Sequence, residues 1–219
     1  MSLQVWLPLN GSLENKGLSS ATFSIKNNNN KLVSGDAGKV CPQAYKRSAI
    51  ATSDYITSDI NFSLTNDFSM CCWCKVNEVA NTTTANGIIT IHDHTTGGAG
   101  ITLKVNNANT CYISCNTGFG PSYPDQRTFN TYYGTTNIFG AWHHLCLTYT
   151  KSTEKYNLYV DGVCEKTFNF KNDGSPRPFC LFAWSTGYLN YTDYRPACEL
   201  NDVRLYDHCL SPREVKLLA

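Results

Sequence analysis

The sequence predicts an all-β fold: antiparallel strands packed as a two-sheet sandwich or jelly roll and closed by one short C-terminal helix. Three observations predict it. Apolar residues recur with period two along much of the chain, an Asp-Gly pair sits between two such runs, and only the last residues carry helix signals. A length of 219 residues suits one such sandwich, so residues 1–219 read as a single domain with a sizeable core.

Successive side chains of a strand point to opposite faces, so alternation marks a half-buried strand. Val5, Leu7 and Leu9 share one face near the N-terminus. Phe68, Met70, Cys72, Cys74 and Val76 share another, with Ser69, Trp73 and Lys75 opposite. Ile101, Leu103 and Val105 alternate with Thr102 and Lys104; Leu145, Leu147 and Tyr149 alternate with Cys146 and Thr148; Tyr156, Leu158 and Val160 follow. Val160-Asp161-Gly162-Val163 predicts a hairpin, because Asp-Gly accepts the positive φ angles of a type I′ turn. Turn-forming clusters at 27–30, 86–87, 95–98 and 106–107 separate the runs. At the end, Ser211-Pro212-Arg213-Glu214 is a capping box with proline at the first helical position, and Val215, Leu217 and Leu218 give that helix an apolar face.

Composition narrows the partners. Charged residues make up 16% of the chain and the net charge is +1, without the basic excess a nucleic-acid surface needs. No apolar run approaches the ~18 residues of a membrane-spanning helix. Met1-Ser2-Leu3-Gln4 is not a basic segment followed by an apolar one, so no signal peptide is expected. Cysteines number eleven, many within the alternating runs: Cys72, Cys74, Cys111, Cys115, Cys146 and Cys164. They read as reduced, buried, small hydrophobes rather than a disulfide framework, which implies folding in a reducing cytoplasm.

Several segments match a known family. Ala141-Trp142-His143-His144-Leu145-Cys146-Leu147-Thr148-Tyr149, followed by Asn157-Leu158-Tyr159-Val160-Asp161-Gly162, resembles the central hairpin of laminin-G-like domains of the concanavalin A-like superfamily. Phe68 to Val76 resembles an early core strand of that family, and Glu199 to Tyr206 with Leu210 to Val215 resembles its closing strand and helix. Val5-Trp6-Leu7-Pro8-Leu9-Asn10-Gly11 is similar to domains of this type in phage structural proteins. The resemblance implies a jelly-roll sandwich over nearly the whole chain, with two antiparallel sheets of about six or seven strands each. It does not choose among lectins, glycan-binding modules, glycanases and adhesion domains, all of which use this scaffold.

Candidate chemistry is sparse. His143 and His144 are adjacent in a strand, so they cannot bind one metal together, and one is expected inward. His92 and His94 share a face in extended chain, which is metal-ligand geometry lacking an identifiable third ligand. Cys71-Cys72-x-Cys74 lacks a second cysteine pair. The closely spaced acids of the family's retaining glucanases, a Glu-x-Asp-x-x-Glu pattern, do not occur, so no catalytic residue is expected. No cofactor is required by the sequence, though relatives suggest calcium at the sandwich rim. Asp36, Asp93, Asp193, Glu199 and Asp202 are the available rim acids; Asp202, with Asn10 as neighbour, is the expected site.

The aromatic-rich segments are more informative. Residues 119–133 hold five aromatics in fifteen positions, and residues 182–194 five in thirteen, among Gly, Pro, Asn, Ser and Thr. Rings beside amides, hydroxyls and carboxylates suit sugars, whose C–H faces stack on rings while hydroxyls take hydrogen bonds. Tyr123, Arg127, Tyr132, Tyr133, Trp184, Tyr188, Tyr191, Asp193 and Tyr194 are therefore the expected ligand contacts. The expected function is a non-catalytic, lectin-like module for a glycan or cell-surface polysaccharide, on a phage or bacterial surface structure. The alternative is a virion or appendage domain that makes protein–protein contacts. The third reading is a glycan-degrading enzyme.

Overall fold

The computed structural model describes residues 2–26, 32–35, 38–47, 54–79, 86–93, 97–107, 110–117, 130–170, 172, 176–183 and 196–219. The strands are β1 (Leu3–Leu7), β2 (Phe23–Lys26), β3 (Leu32–Gly35), β4 (Ala44–Arg47), β5 (Tyr55–Phe62), β6 (Phe68–Glu78), β7 (Asn86–Asp93), β8 (Gly97–Asn107), β9 (Thr110–Thr117), β10 (Asn130–Tyr133), β11 (Trp142–Thr150), β12 (Lys155–Val160), β13 (Val163–Asn169), β14 (Arg177–Leu181) and β15 (Ala197–Tyr206); helix α1 is Pro212–Leu218. The first sheet runs β13-β12-β11-β6-β15-β4-β3, with β1 also on β15; the second runs β10-β9-β8-β7-β14-β5-β2. Every ladder between these strands is antiparallel. The jelly-roll sandwich is thus as expected. The first sheet reaches eight strands because β15 is long enough for two partners end to end: β4 pairs at Glu199 and Leu200, β1 from Val203 to Tyr206.

The alternation places the core where expected. Met70, Cys72, Val76, Leu145, Leu147, Leu158, Leu200 and Val203 of the first sheet meet Ile56, Ile89, Ile101, Leu103, Ile113, Cys115 and Leu181 of the second, and none of these is exposed. Full burial of an aliphatic side chain stabilises by roughly 1.5–3 kcal/mol, so this interface holds the sandwich together. Leu9 joins Val5 and Leu7 in the core, but β1 stops at Leu7 and Leu9 adopts a left-handed φ of 58°. The Asp161-Gly162 turn has φ values of 49° and 77°, as a type I′ turn requires. At α1, Ser211 and Glu214 form the full capping box. Val215 of α1 packs with Leu210 on Cys71, Cys146 and Tyr159, so the helix covers the outward face of the first sheet.

The cysteines follow the expectation with one correction. Cys71, Cys72, Cys74, Cys111, Cys115, Cys146, Cys180 and Cys198 are buried, and all eleven are free thiols. Burial pushes Cys111 and Cys115 up to about 12, and Cys72 and Cys74 well above the ordinary value, which keeps them protonated and unreactive. Cys71 moves the other way: a hydrogen bond from its cross-strand partner Cys146, and then the neighbouring His144, lower it. Cys164 is exposed, on β13 at the end of the first sheet's strand order.

Candidate functional site

Among the expected ligand contacts, Tyr132 and Tyr133 lie on β10, whereas Tyr123, Arg127, Trp184, Tyr188, Tyr191, Asp193 and Tyr194 lie outside the described residues. The two tyrosines differ. Tyr132 faces inward beside Cys115 and stacks on Phe168 at 3.8 Å and 7°, and Phe168 stacks in turn on Tyr156 at 5.1 Å. Its ring is packing material. Tyr133 points to the other side beside Ser114 and is 45% exposed, so it presents its ring at the surface.

The first aromatic-rich segment joins two strands of the second sheet, and the second joins the second sheet to β15 of the first. Residues 118–129 connect β9 to β10, and residues 184–195 follow β14. Three antiparallel steps separate β9 from β14, so the two strands run in opposite directions and their segments leave opposite ends of the sheet. Between the roots, the outward face is a row of small side chains. Thr90, Ser114 and Cys180 are completely buried there. Thr90 Oγ1 donates to the Ala183 carbonyl at 2.9 Å, Thr102 and Ser114 share a 2.8 Å hydroxyl bond, and the Cys180 thiol donates to Thr57 Oγ1 at 3.5 Å.

A second polar region closes the first sheet. The β15–β6 register shifts between Asn201 and Arg204, and Asp202 takes a left-handed φ of 52° in that bulge. The Asp202 carboxylate accepts from Trp6 Nε1 at 2.8 Å and Arg204 Nε at 3.0 Å, and its other oxygen pairs with the Arg204 guanidinium at 2.9 Å. Arg204 also lies 5.4 Å from the Trp6 ring centre. Asp202 therefore carries an arginine where calcium was expected, and a cation there would meet a like charge. Asn10 Oδ1 instead accepts from the Gln43 backbone N–H at 3.1 Å. Among the described residues, no group of three or more His, Cys, Asp or Glu side chains is placed to hold a metal ion.

Asn201 is the hub that sequence reasoning missed. It is fully buried; its Oδ1 accepts from the N–H groups of Val40 and Cys41 at 2.9 and 3.1 Å, and its Nδ2 donates to the carbonyls of Pro8 and Gln43 at 2.9 and 2.8 Å. One amide thus pins two chain segments, at residue 8 and residues 40–43, to β15. Next to them, residues 15–19 return alongside β1, with Lys16 N–H on the Trp6 carbonyl at 2.8 Å and Leu18 N–H on Leu3 at 2.9 Å. Gly17 permits this approach, since a Cβ there would sit 2.4 Å from the Gln4 carbonyl oxygen. A groove of about 370 Å³ results, lined by Trp6, Pro8, Asn10, Ser12, Glu14, Lys16 and Cys41.

The remaining polar candidates have structural partners. His144 is buried in edge-to-face contact with Trp73 at 5.5 Å, and His143 Nδ1 lies 2.7 Å from the Asp161 carboxylate at the sheet margin. His92 and Asp93 end β7, while His94, Asp36 and Asp193 lie outside the described residues. Glu199 accepts from Asn77 and pairs with Lys75 at 3.9 Å. Asp161 also accepts from the His144 backbone N–H, Glu165 holds the N–H groups of Thr135 and Thr136, and Asp67 holds that of Lys151. Asp161, Glu165 and Asp67 thus organise backbone, and Glu199 is tied to two side chains of β6.

Comparison with known proteins supports the sequence-level resemblance. A laminin-G model, described as of the concanavalin A-like lectin/glucanases superfamily, matches residues 51–216. No curated protein sequence matches significantly. Similar solved structures include domain 4 of AbnA, a GH43 extracellular arabinanase from Geobacillus stearothermophilus, in complex with arabinotriose (TM-score 0.71, 18% identity, covering 100% of this chain and 98% of that one). The binding domain of Paraclostridial Mosquitocidal Protein 1 is similar over 99% of this chain and 51% of its own (TM-score 0.69, 15% identity). The botulinum neurotoxin serotype D ligand-binding domain, in complex with N-acetylneuraminic acid, aligns over 99% of this chain and 50% of its own (TM-score 0.64, 13% identity). The chain thus spans about half the length of the toxin binding domains it matches.

Proposed function

The chain belongs to the concanavalin A-like lectin/glucanase superfamily, and on that premise we propose that it is a non-catalytic, glycan-binding module. The observation that carries this reading is the exposed ring of Tyr133 on β10, at the end of the first aromatic-rich segment of the sequence. Rings near hydroxyls and amides supply the stacking and hydrogen bonds a sugar needs. The structural duties of Asp161, Glu165, Glu199 and Asp202 add support, since glycoside hydrolysis requires two carboxylates facing one bond. The arabinanase domain, similar over 98% of its length and in complex with arabinotriose, supports a sugar ligand for a domain of this shape. A polysaccharide at a phage or bacterial surface is the setting we infer, supported by the phage-like opening Val5 to Gly11.

A glycan array followed by calorimetry tests the reading. We expect saturable binding without release of reducing ends. Tyr133→Ala should weaken binding about tenfold, the loss of about 1.4 kcal/mol that one stacked ring supplies. A folded protein that binds nothing across a broad panel, or that hydrolyses its ligand, overturns it.

A further inference from the structure

We propose that the groove beside β1 is a second glycan subsite, distinct from the aromatic-rich segments, and that it takes one neutral pyranose or furanose residue; this inference rests on the glycan-binding reading above. Size comes first. A volume of about 370 Å³ lies at the small end of the ~300–1,000 Å³ typical of ligand sites, so it suits a single sugar unit rather than an extended chain.

The platform comes next. Trp6 lines the groove, and its indole is fixed before any ligand arrives: Nε1 donates to Asp202 at 2.8 Å, and Arg204, on the paired strand, lies against the ring. A pre-set ring loses little freedom on binding, which favours a weakly held ligand such as a monosaccharide unit. Indole faces cover sugar C–H faces well.

The polar rim has the complementary chemistry. Asn10 uses its oxygen on the Gln43 N–H, which leaves its amide hydrogens to donate. Ser12 Oγ accepts from the Glu14 N–H at 3.0 Å and keeps its own hydrogen. Glu14 and Lys16 form an ion pair at 3.7 Å with both side chains half-exposed or more, an acceptor and a donor spaced to be bridged by neighbouring hydroxyls. Charge fixes the ligand class. Glu14 balances Lys16 and Asp202 balances Arg204, so neither of these two cations is left uncompensated for a ligand carboxylate. A neutral sugar fits this surface; a sialic or uronic acid does not.

The test uses the full chain, titrated with arabinotriose, with neutral manno- and xylo-oligosaccharides, and with sialyllactose, while the four Trp indole N–H resonances are followed by NMR. We expect a neutral oligosaccharide to shift the Trp6 indole resonance saturably. Glu14→Ala with Lys16→Ala, both surface residues, should weaken that shift at least tenfold without altering the unfolding curve, and Asn10→Ala should weaken it further. Binding that leaves the Trp6 resonance in place, or that ignores the Glu14/Lys16 variant, overturns the subsite while the glycan-binding reading stands. A Trp6 shift with sialyllactose alone overturns the neutral class. No binding of any kind by the folded protein overturns both readings.

Discussion

The closing corner of the first sheet and the outward row of the second are both buried polar regions, and they are built in opposite ways. At the corner, a few many-handed groups tie together segments far apart in the chain: Asn201 makes four hydrogen bonds to residues 8, 40, 41 and 43, and Asp202 takes Trp6 and Arg204 together. In the row, small groups on nearby strands make single bonds, as Thr102 does with Ser114 and Cys180 with Thr57. Buried polar groups cost little while every partner is present and much when one is removed. The corner therefore concentrates its vulnerability in single residues and fixes the Trp6 platform, whereas the row spreads its vulnerability and depends on close backbone approach.

The largest test of this contrast is Asn201→Leu, which keeps roughly the side-chain volume and strips four backbone groups of their partner. Each orphaned buried group costs about 1–3 kcal/mol, and partial access of water lowers the sum, so the expected loss is on the order of 4 kcal/mol. Thr90→Val, which removes a single bond from the row, should lose about 1 kcal/mol. Urea unfolding at constant m-value measures both. Comparable losses for the two variants would abolish the distinction drawn between the regions.

A smaller effect is expected in the row itself, from Gly100→Ala. A methyl group there would lie 2.6 Å from Thr90 Cγ2 and 2.8 Å from the Ile89 carbonyl oxygen. The side chain can yield but the ladder oxygen cannot, so a cost of about 2 kcal/mol follows. Thr90→Ser removes the nearer atom and should recover part of that cost in the double variant, a coupling readable from the four unfolding midpoints. Strictly additive losses would mean that the strand shifts as a whole, and that close approach at this point is unimportant.

What the sequence made legible follows from range. Phe68 to Val76, the Asp161-Gly162 turn and the Ser211-Glu214 capping box are local patterns, and all three are found as expected. The four-residue strands β2, β3, β4 and β10 are too short to display a period. Tyr132 looked like a binding ring because its neighbours in sequence are polar; only the sheet brings Cys115 and Phe168 to it. Asn201 carried no signal, since its partners lie 158 to 193 positions away. Trp6 and its groove were hidden for the same reason: the ring gains meaning from Asp202 and from the returning segment at Lys16.

The smallest effect separates the corner from the strand end just beyond it. Asp207 accepts from Ser2 Oγ at 2.6 Å and from the Ser2 N–H at 2.5 Å, and these bonds hold its carboxyl well below the usual carboxylate range. A depressed folded value stabilises the protein above the unfolded carboxylate pKa of about 3.9, and that contribution disappears as pH falls toward the folded value. Asp207 is 44% exposed, so solvent screening limits it to no more than about 0.5 kcal/mol at neutral pH. The stability gap between the wild type and Asp207→Asn should accordingly stay constant above about pH 5 and close progressively below pH 4. The Asn201→Leu gap involves no titrating group at the hub and should remain open over the same range. A gap at Asp207 that widens on acidification would show that the Ser2 contacts favour the protonated acid, and the terminal clasp would then have to be ascribed to the backbone bond from Asp207 N–H to the Ser2 carbonyl at 3.1 Å.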